Sequence, residues 1–157
     1  MYKRQGISSH AGLEPQKGVS AGLIAAKAIS AISNKGYFGK IKKGNKHGTS
    51  NVGSINGGEA SNQVMDHLII SGECRSHNQS FLEQIIRMHQ KEFNHAAKTT
   101  KNSEGKHGKV IFKNESDYRA FRLKKSEPCV QIACKAVKKI GLIPNPLIMD
   151  ACLLYTS

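Results

Sequence analysis

The spacing of apolar residues changes period along this chain, and that change constrains the fold more than composition does. From Gly18 to about Ser33 one apolar stripe recurs at helical spacing. Its members are Ile24, Ala25, Ala28, Ile29 and Ile32. Pro15 lies just upstream, and Gly36 follows as a C-terminal stop. The pattern predicts a helix with one buried face.

Two later segments have the patterns of strands. Residues 49–55 form a short β-rich run that ends at the turn residues 56–58. Residues 67–75 alternate with period 2, which directs one set toward the core. That set is Leu68, Ile70, Gly72 and Cys74. The segment from Tyr37 to Lys46 is rich in Gly and Lys and is expected to be a connection.

A second helix begins at Asn78, or at Ser80 with Glu83 completing a capping box, and ends near Ala97. One of its faces holds Leu82, Ile85, Ile86, His89 and Phe93. The polar segment 98–108 predicts a loop, and residues 109–113 predict a further strand.

A first strand near Gly6 completes the order β-α-β-β-α-β. This order predicts an α+β, ferredoxin-like fold over residues 1–115, an antiparallel four-stranded sheet with two helices on one face. A third helix is expected from Ser126 to Ile140, with Pro128 in its first turn and Gly141 at its end. Residues 142–149 are expected to be extended.

Composition sets the class of protein. The chain has 157 residues, enough for one domain with a core, and a formal charge of +13 from 24 Lys and Arg against 11 Asp and Glu. Such a charge favours an acidic surface or nucleic acid as a partner. The basic residues are scattered, however, and lack the interleaved aromatic residues that stack on bases. A solvated lysine-rich face is therefore preferred.

The cysteines and the chain ends point to a soluble, cytoplasmic protein. Cys74, Cys129, Cys134 and Cys152 show no zinc-site spacing and are expected to be reduced and, for the most part, packing residues. No signal peptide and no apolar run of about 20 residues is present, which predicts no membrane contact. Residues 1–5 and 152–157 differ in character from the rest and are interpreted as foreign ends, or as ordinary frayed termini.

Three segments resemble one known family when they are taken together and in order. The first is the pattern His-Ala-Gly-x-x-Pro-x-x-Gly at residues 10–18. The second is Asn51–Asp66, with Met65 where the family has proline, and the third is Gly72–Ser76. Residues 120–123 continue the match. These segments resemble the dimerisation domain of the peptidase T-like di-zinc exopeptidases, relatives of the aminoacylases and carboxypeptidases, and that domain has the order β-α-β-β-α-β.

The resemblance implies an internal fragment of a homodimeric hydrolase. Residues 1–115 would be the dimerisation domain, truncated at its first strand. Residues 116–149 would begin the returning catalytic segment, and residues 150–157 would be a non-native tail. The substrate would be a peptide or an N-acyl amino acid; aminopeptidase, carboxypeptidase and deacylase activities remain open.

The resemblance also implies three site residues. His10 would cross the dimer interface and stabilise an oxyanion in the partner's active site. Arg75 and Asn62 would hold the substrate carboxylate or carbonyl. From the residues alone, the preferred interpretations are a hydrogen-bonded loop histidine for His10, a solvated edge charge for Arg75 and a turn residue for Asn62. Gly57-Gly58 lacks the residues of a phosphate-binding loop and predicts a turn.

The family's two zinc ions are bound by segments outside the dimerisation domain. None of the other histidines lies in a His-x-Asp or Glu-Glu context, so no metal ligand is assigned to this sequence. The polypeptide as given is expected to be inactive. Two alternatives are a stand-alone basic ferredoxin-like module that binds nucleic acid, and a dimerisation module without catalysis.

Overall fold

Five antiparallel strands form a single sheet in the computed structural model, which describes residues 2–116 and 121–147, with residues 2–5 described by their backbone alone. The order across the sheet is β2-β3-β4-β1-β5. The strands are β1 (Tyr2–Gln5), β2 (Gly39–Lys43), β3 (Lys46–Gly57), β4 (His67–Arg75) and β5 (Lys109–Phe112). A bulge lies between Val52 and Ser54 of β3.

Two helices pack on this sheet and on each other. They are α1 (Ala21–Asn34) and α2 (Gln79–Thr99), and a short 3₁₀ helix at Pro15–Lys17 precedes α1. Ile24 of α1, Ile70 of β4 and Phe93 of α2 are fully buried in one shared core. The predicted α+β, ferredoxin-like arrangement is confirmed, with one strand more than expected.

The extra strand is β2, in the segment that was expected to be a connection. Ile41 is its one buried residue, 1% exposed, and lysines lie on either side of it. A single apolar residue shows no period, so the pattern could not indicate a strand. The strand forms because Ile41 reaches the core while β2 pairs with residues 46–50 of β3.

The helix ends follow their predicted signals with small shifts. α1 begins at Ala21, where the Ser20 hydroxyl accepts from the Leu23 amide at 3.1 Å. After α1, Gly36 has φ 68°, and Tyr37 N–H donates to the Ile32 carbonyl at 3.0 Å, which closes the helix.

The two alternatives for the start of α2 are resolved in favour of Asn78. Its side-chain oxygen accepts from the Phe81 amide at 2.9 Å. Ser80 instead donates to Asn78 at 2.8 Å. The helix continues to Thr99, two residues past the expected end.

Buried polar groups join α2 to its neighbours. Glu92 is 3% exposed and pairs with Lys35, just after α1, at 2.6 Å. The buried Ser50 hydroxyl of β3 donates to the Tyr37 carbonyl at 2.7 Å and lies 3.0 Å from His89 Nε2. Because the Ser50 hydroxyl hydrogen is already donated to Tyr37, His89 Nε2 must be the donor to Ser50. Nε2 therefore carries a proton. Burial lowers the pKa of His89.

Burial also changes the pKa of Cys74, the cysteine of β4. The pKa of Cys74 is raised to about 11 by burial and by the nearby Glu73 carboxylate. Cys74, Cys129 and Cys134 are free thiols, and Cys152 lies outside the described residues.

A second compact unit follows the first, which ends at residue 116. Its helix α3 spans Pro128–Lys139, with Gly141 at φ 79° beyond its end. No residue of α3 is buried, and Ile132 is 68% exposed. Residues 142–147 form no strand, and residues 148–157 lie outside the described range.

No helix in the described parts of the chain has the length and apolar character that a membrane span requires.

The lowered pKa of His89 predicts a loss of stability in mild acid. The unfolded chain takes up a proton near its ordinary pKa of about 6.5, while the folded chain resists protonation, so the free energy of unfolding falls as the pH drops below about 6.5. His89→Gln should remove this component of the pH dependence. His95→Gln, at an exposed position of the same helix, should retain it.

Urea unfolding of the three proteins between pH 5 and pH 8 measures the effect. If the free energy of unfolding falls equally with pH in the wild type and in His89→Gln, His89 does not cause the loss of stability in acid.

Candidate functional site

The loop that contains His10 is held by a short antiparallel ladder to residues 62–64. Ala11 N–H donates to the Asn62 carbonyl and Val64 N–H donates to the Ser9 carbonyl, both at 2.8 Å. His10 lies opposite Gln63 in this ladder. The Gln63 side chain adds a bond to the Ser8 hydroxyl at 2.7 Å. The structure therefore brings His10 and Asn62, two of the three predicted site residues, onto adjacent segments.

The imidazole of His10 has one nitrogen fixed by the backbone. Its Nδ1 accepts from the amides of Gly12 at 3.1 Å and Leu13 at 3.2 Å. A nitrogen that accepts hydrogen bonds has no proton, so the neutral ring carries its proton on Nε2. The residue is exposed. His10 thus presents an Nε2–H donor at the surface, with its tautomer set by its own loop.

The turn after His10 is closed by polar contacts. Glu14 N–H donates to the His10 carbonyl at 3.0 Å, and the Ser9 hydroxyl donates to the Glu14 carbonyl at 2.6 Å. The Glu14 carboxylate pairs with Lys17 at 2.6 Å, and this bond raises the pKa of Lys17. The loop therefore has a defined shape although it is exposed.

Close backbone approaches connect this loop to the first strand and to α1. A Cβ on Gly6 would lie 2.0 Å from the Val19 carbonyl oxygen, so a larger residue is excluded there. The Met65 carbonyl accepts from the Ala21 amide, the first residue of α1, at 2.7 Å. The turn at Met65, where the sequence departs from the resembled pattern, is therefore tied to the start of α1 by its backbone carbonyl.

Arg75, the third predicted site residue, lies at the other end of β4. Residue 67 begins that strand beside the His10 loop, and eight residues of strand span roughly 26 Å. Arg75 pairs with Glu73 at 2.8 Å on the face opposite the helices. Thr49 of β3 lies opposite Arg75, and Lys40 of β2 lies opposite Thr49. Within one chain, the structure does not bring Arg75 to His10 and Asn62.

Two side chains that hold the His10 loop are not indicated by the sequence patterns. Gln63 lies within the motif at residues 51–66, and Asn102 lies in the polar segment 98–108, which predicts only a loop. The amide nitrogen of Asn102 donates to the Lys17 carbonyl at 2.9 Å across the loop. A sequence signal existed for Asn102, because Asn followed by Gly105 three residues later is typical of a tight turn.

The side chains that the structure describes do not fit a metal site. Within 2–116 and 121–147, no three His, Cys, Asp or Glu side chains lie close enough together to hold a metal ion.

A comparison with known protein families identifies the first unit. Residues 3–101 match the family described as the peptidase dimerisation domain. The chain belongs to this family. The predicted resemblance to the peptidase T-like dimerisation domain is thereby confirmed.

Two solved structures resemble this dimerisation domain and the unit after it. The aminopeptidase PepT from Bacillus cereus is 33% identical, with a TM-score of 0.71 over 92% of this chain and 35% of its own. A tripeptidase from Staphylococcus aureus is 30% identical, with a TM-score of 0.76 over 96% of this chain and 37% of its own. Both are peptidases by name.

A protein of Bacillus subtilis, YqjE, is 34% identical over 87% of this chain and 33% of its own length. The chain therefore spans about a third of the length of each of these relatives. A hydantoinase/carbamoylase family amidase from Burkholderia ambifaria, 15% identical with a TM-score of 0.71, shares the fold.

Proposed function

We propose that this chain supplies the dimerisation domain of a zinc-dependent exopeptidase that hydrolyses peptides or N-acyl amino acids, and that His10 stabilises the oxyanion in the partner's active site. The observation that supports this most is the geometry of His10. Its Nδ1 accepts two backbone hydrogen bonds, so the exposed Nε2 is a donor.

The chemistry of amide hydrolysis gives this donor its role. Attack on the scissile carbonyl places negative charge on its oxygen, and a fixed N–H stabilises that charge more than it stabilises the ground-state carbonyl. The Asn62 amide, on the adjacent segment, would position the same substrate. The zinc ions, which would supply the attacking hydroxide in the intact enzyme, would be held by residues outside the described part of this chain.

One edge of the sheet is suited to a two-fold interface. On the side away from β4, β2 pairs only with residues 46–50 of β3, so residues 51–57 form an open edge there. This segment has no charged residue. Ile55 lies opposite the buried Ile70, on the helix side of the sheet, yet is 51% exposed. The outer strands β2 and β5, in contrast, contain lysines, which disfavour pairing.

The helix α1 supports the same interface. Lys27 is its only charged residue, and Leu23 is 48% exposed. α1 joins β1 to the β2–β3 hairpin, and it packs on β4, the strand next to this edge of β3. An apolar helix surface beside an open, uncharged strand suits a second copy of the chain.

Such a dimer would complete the candidate site. If residues 51–57 of two copies pair antiparallel about Ser54, Asn51 of one copy lies opposite Gly57 of the other. The start of the partner's β3, with the partner's Arg75 beside the partner's Thr49, then extends past Gly57 toward the His10 and Asn62 end. We therefore propose that one site uses His10 and Asn62 of one subunit and Arg75 of the other.

The nucleic-acid alternative has less support. Among strands β2 to β5, the one Phe, Tyr or Trp residue is Phe112, and it packs against the core rather than lying open on the sheet. Stacking on bases needs exposed aromatic rings. A salt-titrated binding assay with single-stranded RNA would separate the two functions.

The proposed interface predicts that a charge at Ile55 weakens self-association. Ile55→Glu should raise the dimer dissociation constant about tenfold or more, because the carboxylate would be buried without a partner. Ile111→Glu is the matched control, since Ile111 is 37% exposed on β5 at the far edge. Sedimentation at moderate salt, where lysine repulsion is screened, measures both.

Equal dimerisation of the two variants would contradict the assigned edge. A folded wild type that stays monomeric at high micromolar concentration would contradict self-association itself.

The role of His10 predicts a kinetic defect in the full-length enzyme. His10→Ala should lower kcat by roughly 10²- to 10³-fold, about 2.7 to 4 kcal/mol of transition-state stabilisation, with unchanged metal content. His95→Ala, at an exposed position of α2, is the control. A loss of folded protein with kcat preserved would show instead that His10 is structural.

A further inference from the structure

The loop after α2 contacts the segment that follows the His10 turn. The Asn102 amide nitrogen donates to the Lys17 carbonyl at 2.9 Å, across 85 residues of sequence. The Ser103 N–H donates to the Gln16 carbonyl at 2.8 Å. These two bonds hold the 3₁₀ helix that directly follows the His10 turn.

Asn102 also determines the shape of its own loop. Its side-chain oxygen accepts from the amides of Glu104 at 3.0 Å and Lys106 at 2.8 Å. Its backbone N–H donates to the Lys106 carbonyl at 2.9 Å. A bridge between Lys101 and His107 closes the base of this loop. The Asn102 side chain therefore stabilises its own loop through its acceptor oxygen and binds the segment after the His10 turn through its donor nitrogen.

A continuous path of contacts leads from Asn102 to the imidazole. Lys17, whose carbonyl accepts from Asn102, donates its own N–H to the Glu14 carbonyl at 3.0 Å. Glu14 in turn donates to the His10 carbonyl at 3.0 Å. In the same turn, the amides of Gly12 and Leu13 fix His10 Nδ1. Loosening Lys17 therefore releases the turn that sets the direction of Nε2–H.

We propose that Asn102 is a positioning residue for His10: it holds the His10 turn closed, so that Nε2–H is presented in one direction. This inference rests on the proposed role of His10 and adds a residue to it. Asn102 lies just beyond residues 3–101, which match the family. It acts through Lys17 and Glu14 and does not itself touch the substrate.

An amide is the side chain that suits both tasks, because it combines two donor hydrogens with an acceptor oxygen. Aspartate at this position would keep the acceptor and lose the donor. Alanine would lose both. The three residue types therefore form a graded series. Aspartate removes the hydrogen bond to Lys17, and alanine also removes the hydrogen bonds within the loop of Asn102.

Local opening of the His10 turn can be measured by NMR on the chain itself. Amide hydrogen exchange of Gly12 and Leu13 reports the bonds to Nδ1, and the ¹⁵N shifts of the neutral imidazole report which nitrogen is protonated. Asn102→Ala should raise both exchange rates by about three- to tenfold, the range expected for a lost hydrogen bond, and should introduce the Nδ1–H tautomer. Asn102→Asp should have a smaller effect.

Two controls separate positioning from general stability. Ser103→Ala removes a neighbouring side chain but keeps the backbone donor to Gln16, so it should match the wild type. The amide of Ile70, in the middle of β4, reports global opening and should be unchanged in all variants.

Wild-type exchange and ¹⁵N shifts at His10 in Asn102→Ala would overturn the proposal, and so would an equal increase at Ile70. These measurements need no substrate. A His10 turn that loosens while His10→Ala keeps full kcat would refute the proposed function of His10 and leave the positioning by Asn102 intact.

Discussion

The ladder between residues 9–11 and 62–64 is the contact on which the rest of the structure depends. It joins the segment that follows β1 to the segment between β3 and β4, so it fixes both the start of α1 and the turn into β4. The Met65 carbonyl bonds to the Ala21 amide at 2.7 Å just beyond it. Breaking this ladder would separate His10 from Asn62, and it would also release the N-terminal end of α1.

Much of this arrangement could be predicted from the sequence, because burial on one face leaves a period. The stripe through Ile24 and Ile32 predicted α1, and the alternation at Leu68 and Ile70 predicted β4. Strand β2 was missed because Ile41 alone faces the core. The burial of Glu92 could not be predicted, since its partner Lys35 is distant in sequence and adjacent only through the packing of the helices.

The candidate site, too, could be predicted only in part from the sequence. The motifs place His10, Asn62 and Arg75 in order along the chain but contain no information on which of them are neighbours in space. Only strand register shows that β4 separates Arg75 from the other two. In the proposed dimer, pairing at the open edge of β3 would bring the two ends of the site together from different subunits.

The most direct test of the account is a mixed dimer of the full-length enzyme. One subunit has His10→Ala with its metal ligands intact, and the other has His10 but lacks its metal ligands. If His10 acts across the interface, the one site with metal receives its imidazole from the metal-free partner, and about half of the wild-type activity per dimer should return. Mixed dimers without activity, formed from folded parent dimers that are equally inert, would contradict the cross-subunit role of His10.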